Sequence, residues 1–440
     1  MCYPHARALS PLTSDGTTVA TSSKIDVGEL RVGMYVHLDL GWMSHPFPLS
    51  SFRIRSDEQI ETIRSLGLKE VRWNPEKSLL APAPSTKAAD VAAGAAQAEA
   101  ARREALAQQQ AAQATAEQQY AEAAAAWRTV ASSIADQPEL AREQACALTR
   151  ALVDKMLGEQ ELCIRTLTLA AGEQATAHAL NVTILSLLMG RAMNLPESEL
   201  MDLGVGAMLH DIGKLELPER SRFHDDAMRP EELSVYRQHV ALGVQQGRRM
   251  GVSEGALQVI AQHHEQADGS GFPQQLGLES LSVPARVVGL INRYDGLCNP
   301  LVAARAMTPA EALALLFGQG KHKFDSAMLT GFIRLMGVYP PGSIVQLTDD
   351  RHGIVVSVNA VRPLKPRVLV HDAQVPRDQA LILDLETVPG VGVRRSLKPS
   401  QLPPEALAYL GPARRLTYFF EPVPASPGSP CARATKEAPA

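Results

Sequence analysis

From about Pro138 to Met336, apolar residues recur three and four positions apart, the spacing that collects them on one face of an α-helix. The segments run over Glu143–Met156, Ala175–Met193, Glu197–Leu209, Pro230–Met250, Gly255–His264, Pro284–Asp295, Thr308–Phe317 and Asp325–Met336. Thr308-Pro309-Ala310-Glu311 is a strong helix start, with a capping hydroxyl, a proline in the first turn and an acid soon after. At Tyr339-Pro340-Pro341-Gly342 the period changes to that of strands over Ser343–Leu347, Gly353–Val358 and Arg367–Val370. Near the front, Ile25–Leu40 and Val71–Trp73 also read as strands. Between them Arg55–Leu68 reads as a helix, with Ser56 as N-cap and Ile60, Ile63 and Leu66 on one face.

These patterns predict a mainly α protein in six parts. They are a disordered lead (1–23), a small α+β module (24–80), an Ala/Gln-rich helical linker (81–137), a helical domain (138–338), a β-rich appendage (339–423) and a disordered tail (424–440). The linker has very high helix propensity but lacks a leucine seam, so it reads as a long exposed spacer or lever. Trp42 and Trp73 read as filling for a core too small to do without aromatics. The net charge of -4 offers no basic field for a nucleic-acid polymer. No apolar run approaches a membrane span of roughly 18 residues or more, and the polar N-terminus lacks an export signal's apolar stretch. The five scattered cysteines suggest neither a disulfide framework nor a zinc clip. A cytoplasmic location is expected.

The chemistry centres on Leu209-His210-Asp211-Ile212-Gly213-Lys214. A His-Asp pair alone carries little information. Here His239, His263-His264-Glu265 and Asp268-Gly269-Ser270-Gly271-Phe272-Pro273 follow. Imidazoles and carboxylates returning from separate helices are what a multinuclear metal site requires, since neighbouring metals need several N/O ligands and a bridging carboxylate. His239 by itself reads as a structural histidine, whereas Lys214, four residues after His210 on the same helical face, can neutralise phosphate oxygens or orient a metal-bound nucleophile, with a surface lysine at a helix end as the alternative. Two adjacent imidazoles on one helix are harder to explain as filling. Glu265 is a candidate acceptor for one of them. The glycine- and proline-bearing loop after it suits substrate contact.

These motifs, in this order over about Thr166–Met336, resemble the HD-GYP family, metal-dependent phosphohydrolases that act on cyclic di-GMP. Gly33-Met34-Tyr35-Val36, Trp42, Pro46-Phe47 and Phe52–Ile60 resemble the small domain often found before it. The resemblance implies an HD-type helical bundle with two divalent metal ions, iron or manganese. His210, Asp211, His239, His263 and His264 fall on ligand positions, with Asp211 as bridge, and Lys214 on the phosphate-contacting lysine. Asp211 and Lys214 are the implied catalytic residues. Lys214, Asp268, Gly269, Gly271, Phe272 and Arg305 are the implied substrate-binding set. His178 matches a ligand of a third metal in some members. Gln174 stands where its companion glutamate is expected, with Glu173 adjacent, so a third metal is not expected.

Three further departures stand out. Ile291-Asn292-Arg293-Tyr294-Asp295 places Asn292 where a final aspartate ligand is expected, with Asp295 as a substitute three residues on. Cys298-Asn299-Pro300-Leu301-Val302-Ala303 replaces a basic phosphate-contacting segment, and Arg305 is its shifted replacement. Phe272 keeps the ring of the motif's tyrosine without the hydroxyl. The expected function is hydrolysis of cyclic di-GMP to pGpG or GMP. Two rivals are a degenerate domain that binds cyclic di-GMP or a protein partner, and a different HD-type nucleotide hydrolase. Candidate partners are cyclic di-GMP, a second copy of the chain through the helical linker, and GGDEF-type or other signalling proteins.

Overall fold

The protein is described here by a computed structural model. It describes residues 23–40, 47, 49–79, 86–158, 161–167, 174–222, 228–359 and 361–423. The lead before Ser23, the tail from 424, Trp42, Pro46 and Glu173 lie outside these residues. The chain divides into two compact units, Met1–Ala101 and Arg102–Ala440.

The first unit holds β1 (Ser23–Asp26), β2 (Tyr35–His37), β3 (Ser51–Arg53), α1 (Asp57–Ser65) and β4 (Glu70–Asn74). Its antiparallel sheet has the order β1-β4-β2-β3. Val36, Ile54, Ile60, Ile63 and Val71 form the core, as the alternating and helical patterns require. Trp73 packs on this core and donates its indole N–H to Ser78 Oγ at 2.8 Å. Ser56 occupies the N-cap of α1, but its side chain makes no capping bond.

The helix α2 (Thr86–Ser133) differs from the expected exposed lever. Within the second unit Ala116, Tyr120, Ala123, Ala124, Trp127 and Val130 are buried in the main core. Their spacing is an apolar stripe, hidden in the sequence because alanine also fills the exposed faces. Gln109 extends the docking, donating to Ala380 O at 3.0 Å and accepting from Ile382 N–H at 2.8 Å.

The bundle continues with α3 (Pro138–Leu157), α4 (Gln174–Ala192), α5 (Glu197–Leu209), α6 (Pro230–Met250), α7 (Glu254–Gln262), α8 (Val283–Cys298), α9 (Pro309–Gln319) and α10 (Ser326–Met336). The predicted helices are all present. Buried residues on α4 include Leu180, Ile184, Leu187, Asn181 and Ser186, so this central helix is enclosed on most sides. Thr308 and Glu311 form the expected reciprocal cap of α9.

One element breaks the expected all-helical run: Leu162–Thr166 is a strand, β5. It pairs with β7 (His352–Asn359) and β11 (Tyr418–Pro422). The sheet order is β10-β6-β7-β5-β11, where β6 is Ile344–Leu347 and β10 is Val393–Leu397. Next to β7 lies β8 (Arg367–Val370), and next to that β9 (Ile382–Asp384). The short helix α11 (Pro404–Leu410) precedes β11. Phe419 and Phe420 of β11 belong to the core shared by the helices, so the β-rich part is continuous with the bundle. Among the described residues no helix is long and apolar enough to cross a membrane.

Candidate metal centre

The site forms where α5 stops. His210 is its C-cap, and Asp211 follows in a bridge-region conformation (φ -104°, ψ 8°) before a 3₁₀ turn over Ile212–Glu216. Both side chains therefore leave the end of the helix and enter one cavity wall. Gly213 makes this possible: a Cβ there would overlap the His239 carbonyl oxygen on α6. The glycine is required by close approach of backbones rather than by a turn. At the end of α7, His263 is the C-cap and His264 lies just beyond it. The two imidazoles are thus on a helix end, not within a helix as the periodicity suggests, and can point to different neighbours.

Asp211 is the joint of the cluster. Its Oδ2 lies 3.3 Å from His210 Nε2 and 3.5 Å from His178 Nε2. Its Oδ1 lies 3.5 Å from His239 Nε2 and 3.8 Å from His263 Nε2. Asp211, His239, His263 and His264 form one group of ligand atoms within 4.8 Å of one another, and His178, His210 and Asp211 form a second. The sequence-predicted ligands His210, Asp211, His239, His263, His264 and His178 are all brought together.

The rings are held for coordination. His210, His239 and His263 each bond through Nδ1 to the carbonyl three residues earlier, at 2.7, 2.6 and 2.9 Å. That bond keeps the proton on Nδ1 and leaves the Nε2 lone pair toward Asp211. Burial lowers His239 to about 4 and holds His263 and His264 well below the usual range. These rings stay neutral at physiological pH, as ligation requires. Burial opposes the charge on Asp211, but the groups around it, the Lys214 ammonium among them, outweigh it and hold the carboxylate well below its usual range. Its Oδ1 is buried without a hydrogen-bond partner, a costly arrangement that a cation would relieve. The donor set fits divalent metal.

His178 is positioned differently. Its Nδ1 is 2.6 Å from Asp295 Oδ2. Burial disfavours its charge, yet Asp211 and Asp295 prevail and raise it to about 9. Asp295 is buried and also accepts from the amides of Asn181 (2.8 Å) and Asn299 (2.9 Å). It therefore orients His178 rather than standing in for Asn292 as a ligand. Asn292 lines the same cavity. Gln174 donates to Asn299 O at 3.3 Å and accepts from Arg415 at 3.0 Å.

A cavity of about 910 Å³ opens over the cluster, within the usual range for ligand sites. Lys214, Phe272, Tyr236, Arg222, Arg293 and Arg415 are among its lining residues. Lys214 Nζ pairs with Asp211 Oδ2 at 2.6 Å and lies 5.2 Å from the Tyr236 ring centre. Phe272 stacks on His264, with ring centres 4.5 Å apart, and the Arg237 guanidinium lies 5.0 Å from the Phe272 ring centre. Asp268, Gly269, Gly271 and Arg305 do not line this cavity among the described residues. Asp268 instead accepts from Ser270 N–H at 2.9 Å and shapes its own turn. Glu265, expected beside an imidazole, accepts from Gln274 and Leu276 N–H at 2.6 and 2.9 Å and holds the loop. Sequence reasoning missed Tyr236, which resembled one more apolar position, and Arg415, which lies far downstream with no motif around it.

A His–Asp pair at a helix end, ringed by imidazoles from three other helices, defines an HD-type metal-binding domain. A family model described as HD domain matches residues 128–328. Another, described as a domain of unknown function (DUF3391), matches residues 22–145. Cyclic di-GMP phosphodiesterase PA4108 of Pseudomonas aeruginosa is 27% identical over 361 residues, covering 79% of this chain and 84% of that protein. Cyclic di-GMP phosphodiesterase PdeB of Borreliella burgdorferi is 24% identical over 191 residues, 43% of this chain and 50% of that one. Among solved structures, Bd1817, an HDG"Y"P protein from Bdellovibrio bacteriovorus, aligns with a TM-score of 0.42 and 15% identity over 71% of this chain and 98% of its own. The chain is an HD-GYP domain protein.

Proposed function

We propose that the protein hydrolyses a phosphodiester bond of cyclic di-GMP, giving pGpG or GMP. The observation that carries this reading is Asp211, one carboxylate shared between two groups of imidazoles with an oxygen left unpartnered. The N/O donor set, with no thiolate in either group, suits two ions of iron or manganese. Bound there, such ions would lower the pKa of water and polarise the phosphoryl oxygens. His210, His239, His263 and His264 would hold them, with Asp211 as bridge, and His178 would join His210 on giving up its proton. Lys214 would carry positive charge to the phosphate oxygens as they become more negative. Its ammonium is stabilised beside Asp211 despite burial. Phe272, stacked on His264, offers a flat apolar wall for a nucleobase. The names of PA4108 and PdeB support the substrate.

The remaining assignments follow. The β-rich part braces the catalytic bundle, with Phe419 and Phe420 in its core. A homodimer through α2 would use positions before Ala116, because the later stripe is buried in its own chain. A GGDEF-type protein is a fitting partner, since it would make the substrate. A cytoplasmic site of action accords with a cyclic dinucleotide substrate.

Purified protein loaded with manganese or iron tests the reading. It should bind about two ions and release nucleotide product, and Asp211→Ala should lose at least ~100-fold in turnover, since even outer partners of ligands cost 10–100-fold. A second reading rests on Asn292, a neutral amide in the cavity. Cyclic di-GMP binding without product from the unaltered protein would select that sensor role and overturn the enzyme.

A further inference from the structure

We propose that Arg415, on the C-terminal arm, binds the phosphodiester of cyclic di-GMP that is not being cleaved. This rests on the substrate reading above and adds a residue outside both family-model matches, which together end at residue 328. Arg415 is half-buried and lines the cavity that holds Asp211 and Lys214. Its one bond among the described residues is to Gln174 Oε1, at 3.0 Å, and it meets no carboxylate there. A guanidinium has five N–H donors in a planar fork. Half-buried and with no counter-ion among the described residues, it is arranged to receive an anion, and the fork matches phosphate.

The arm is fixed to the site behind His178. Leu416 N–H donates to Asn299 Oδ1 at 2.8 Å, and Leu416 O accepts from Asn181 and Asn299 at 2.9 and 3.0 Å. Tyr418 N–H donates to Asn181 Oδ1 at 2.9 Å. The same two amides hold Asp295, which holds His178. Arg415 is therefore placed by the groups that place a candidate ligand, and is not a mobile surface charge.

The substrate's chemistry supplies the need. A cyclic dinucleotide carries two phosphodiester charges. The one undergoing attack lies at the Asp211 cluster, where Lys214 is already engaged. The other needs its own cation. Arg222 is occupied by the Leu217 and Leu215 carbonyls, at 3.0 and 3.2 Å. Of the other lining cations, Arg128 and Arg293 are exposed and Lys323 has Asp268 for a neighbour, whereas Arg415 is set into the wall on Gln174 with no acid beside it among the described residues.

The test uses the full chain with Arg415→Ala and Arg415→Lys, on cyclic di-GMP and on bis(p-nitrophenyl) phosphate, which has one diester only. Arg415→Ala should raise KM for cyclic di-GMP by ~10–100-fold, the loss of a charge-assisted bond, and Arg415→Lys should recover part. The loss on bis(p-nitrophenyl) phosphate should be several-fold smaller. An equal loss on both substrates would make Arg415 structural, and no loss on either would remove it from the site. Calorimetric binding of cyclic di-GMP to both proteins separates the two readings. Binding that weakens in the variant, with no turnover by either protein, upholds Arg415 and overturns the enzyme. No binding by the unaltered protein overturns both.

Discussion

Asp211 serves two groups of rings at once, and each of its neighbours is held by something that carries no motif. His178 shows this most clearly, because Asp295 fixes its Nδ1 and thereby aims its Nε2. Asp295→Ala should lower metal affinity ~10–100-fold, the usual effect of losing a ligand's orienting partner. Metal content after dialysis against a chelator checks it, and unchanged content would remove Asp295 from the assembly. A second residue-scale prediction lies away from the centre. Burial, and next Glu421, push the Cys163 thiol from 9.0 up to about 12. Above pH ~9 the unfolded chain gains by ionising a thiol that the folded state keeps neutral, so stability falls as pH rises from about 9 toward 12. Thermal midpoints between pH 8 and 10.5 should decline less steeply in Cys163→Ala than in the unaltered protein. At this scale the candidate ligands were legible, because imidazole and carboxylate types advertise their chemistry. Their supports were not. Glu265 looked like a partner for a histidine and instead holds a loop through two backbone N–H groups, a pairing that only folded coordinates can reveal.

Among the elements, amphipathic helices were legible because their apolar spacing records one buried face. Two elements were not. α2 buries a stripe through Ala116, Tyr120, Ala123 and Trp127, and alanine cannot mark a face when it fills every face. The strand β5 is five residues long within a helical stretch, and so short an apolar run does not distinguish strand from helix. Helix ends mattered more than helix centres: His210 and His263 are C-caps, which lets adjacent side chains diverge into the site. The contact between the 3₁₀ turn and α6 depends on Gly213. Gly213→Ala should destabilise the protein by about 1–3 kcal/mol or more, as overpacking does, and should also reduce bound metal because it displaces the backbone that carries His239. A melting curve unchanged from the unaltered protein would show that the turn can yield.

For the whole molecule, the limits suggested by pattern changes cut across the real core. Expressed alone, residues 138–338 would lack the α2 stripe and leave β5 without β7 and β11. That fragment should be insoluble or fail to melt cooperatively, whereas residues 102–423 should be soluble and melt in one cooperative transition. Circular dichroism melting of the two fragments decides the matter. The sequence by itself determined the mainly helical class, the order of the elements and the residue types able to hold metal, because periodicity and side-chain chemistry are local properties. Only the tertiary structure decided that Asp295 serves His178, that Glu265 holds a loop, and that Arg415 returns to the cavity. Those relations depend on which distant segments share a core, and no local pattern encodes a distance between them.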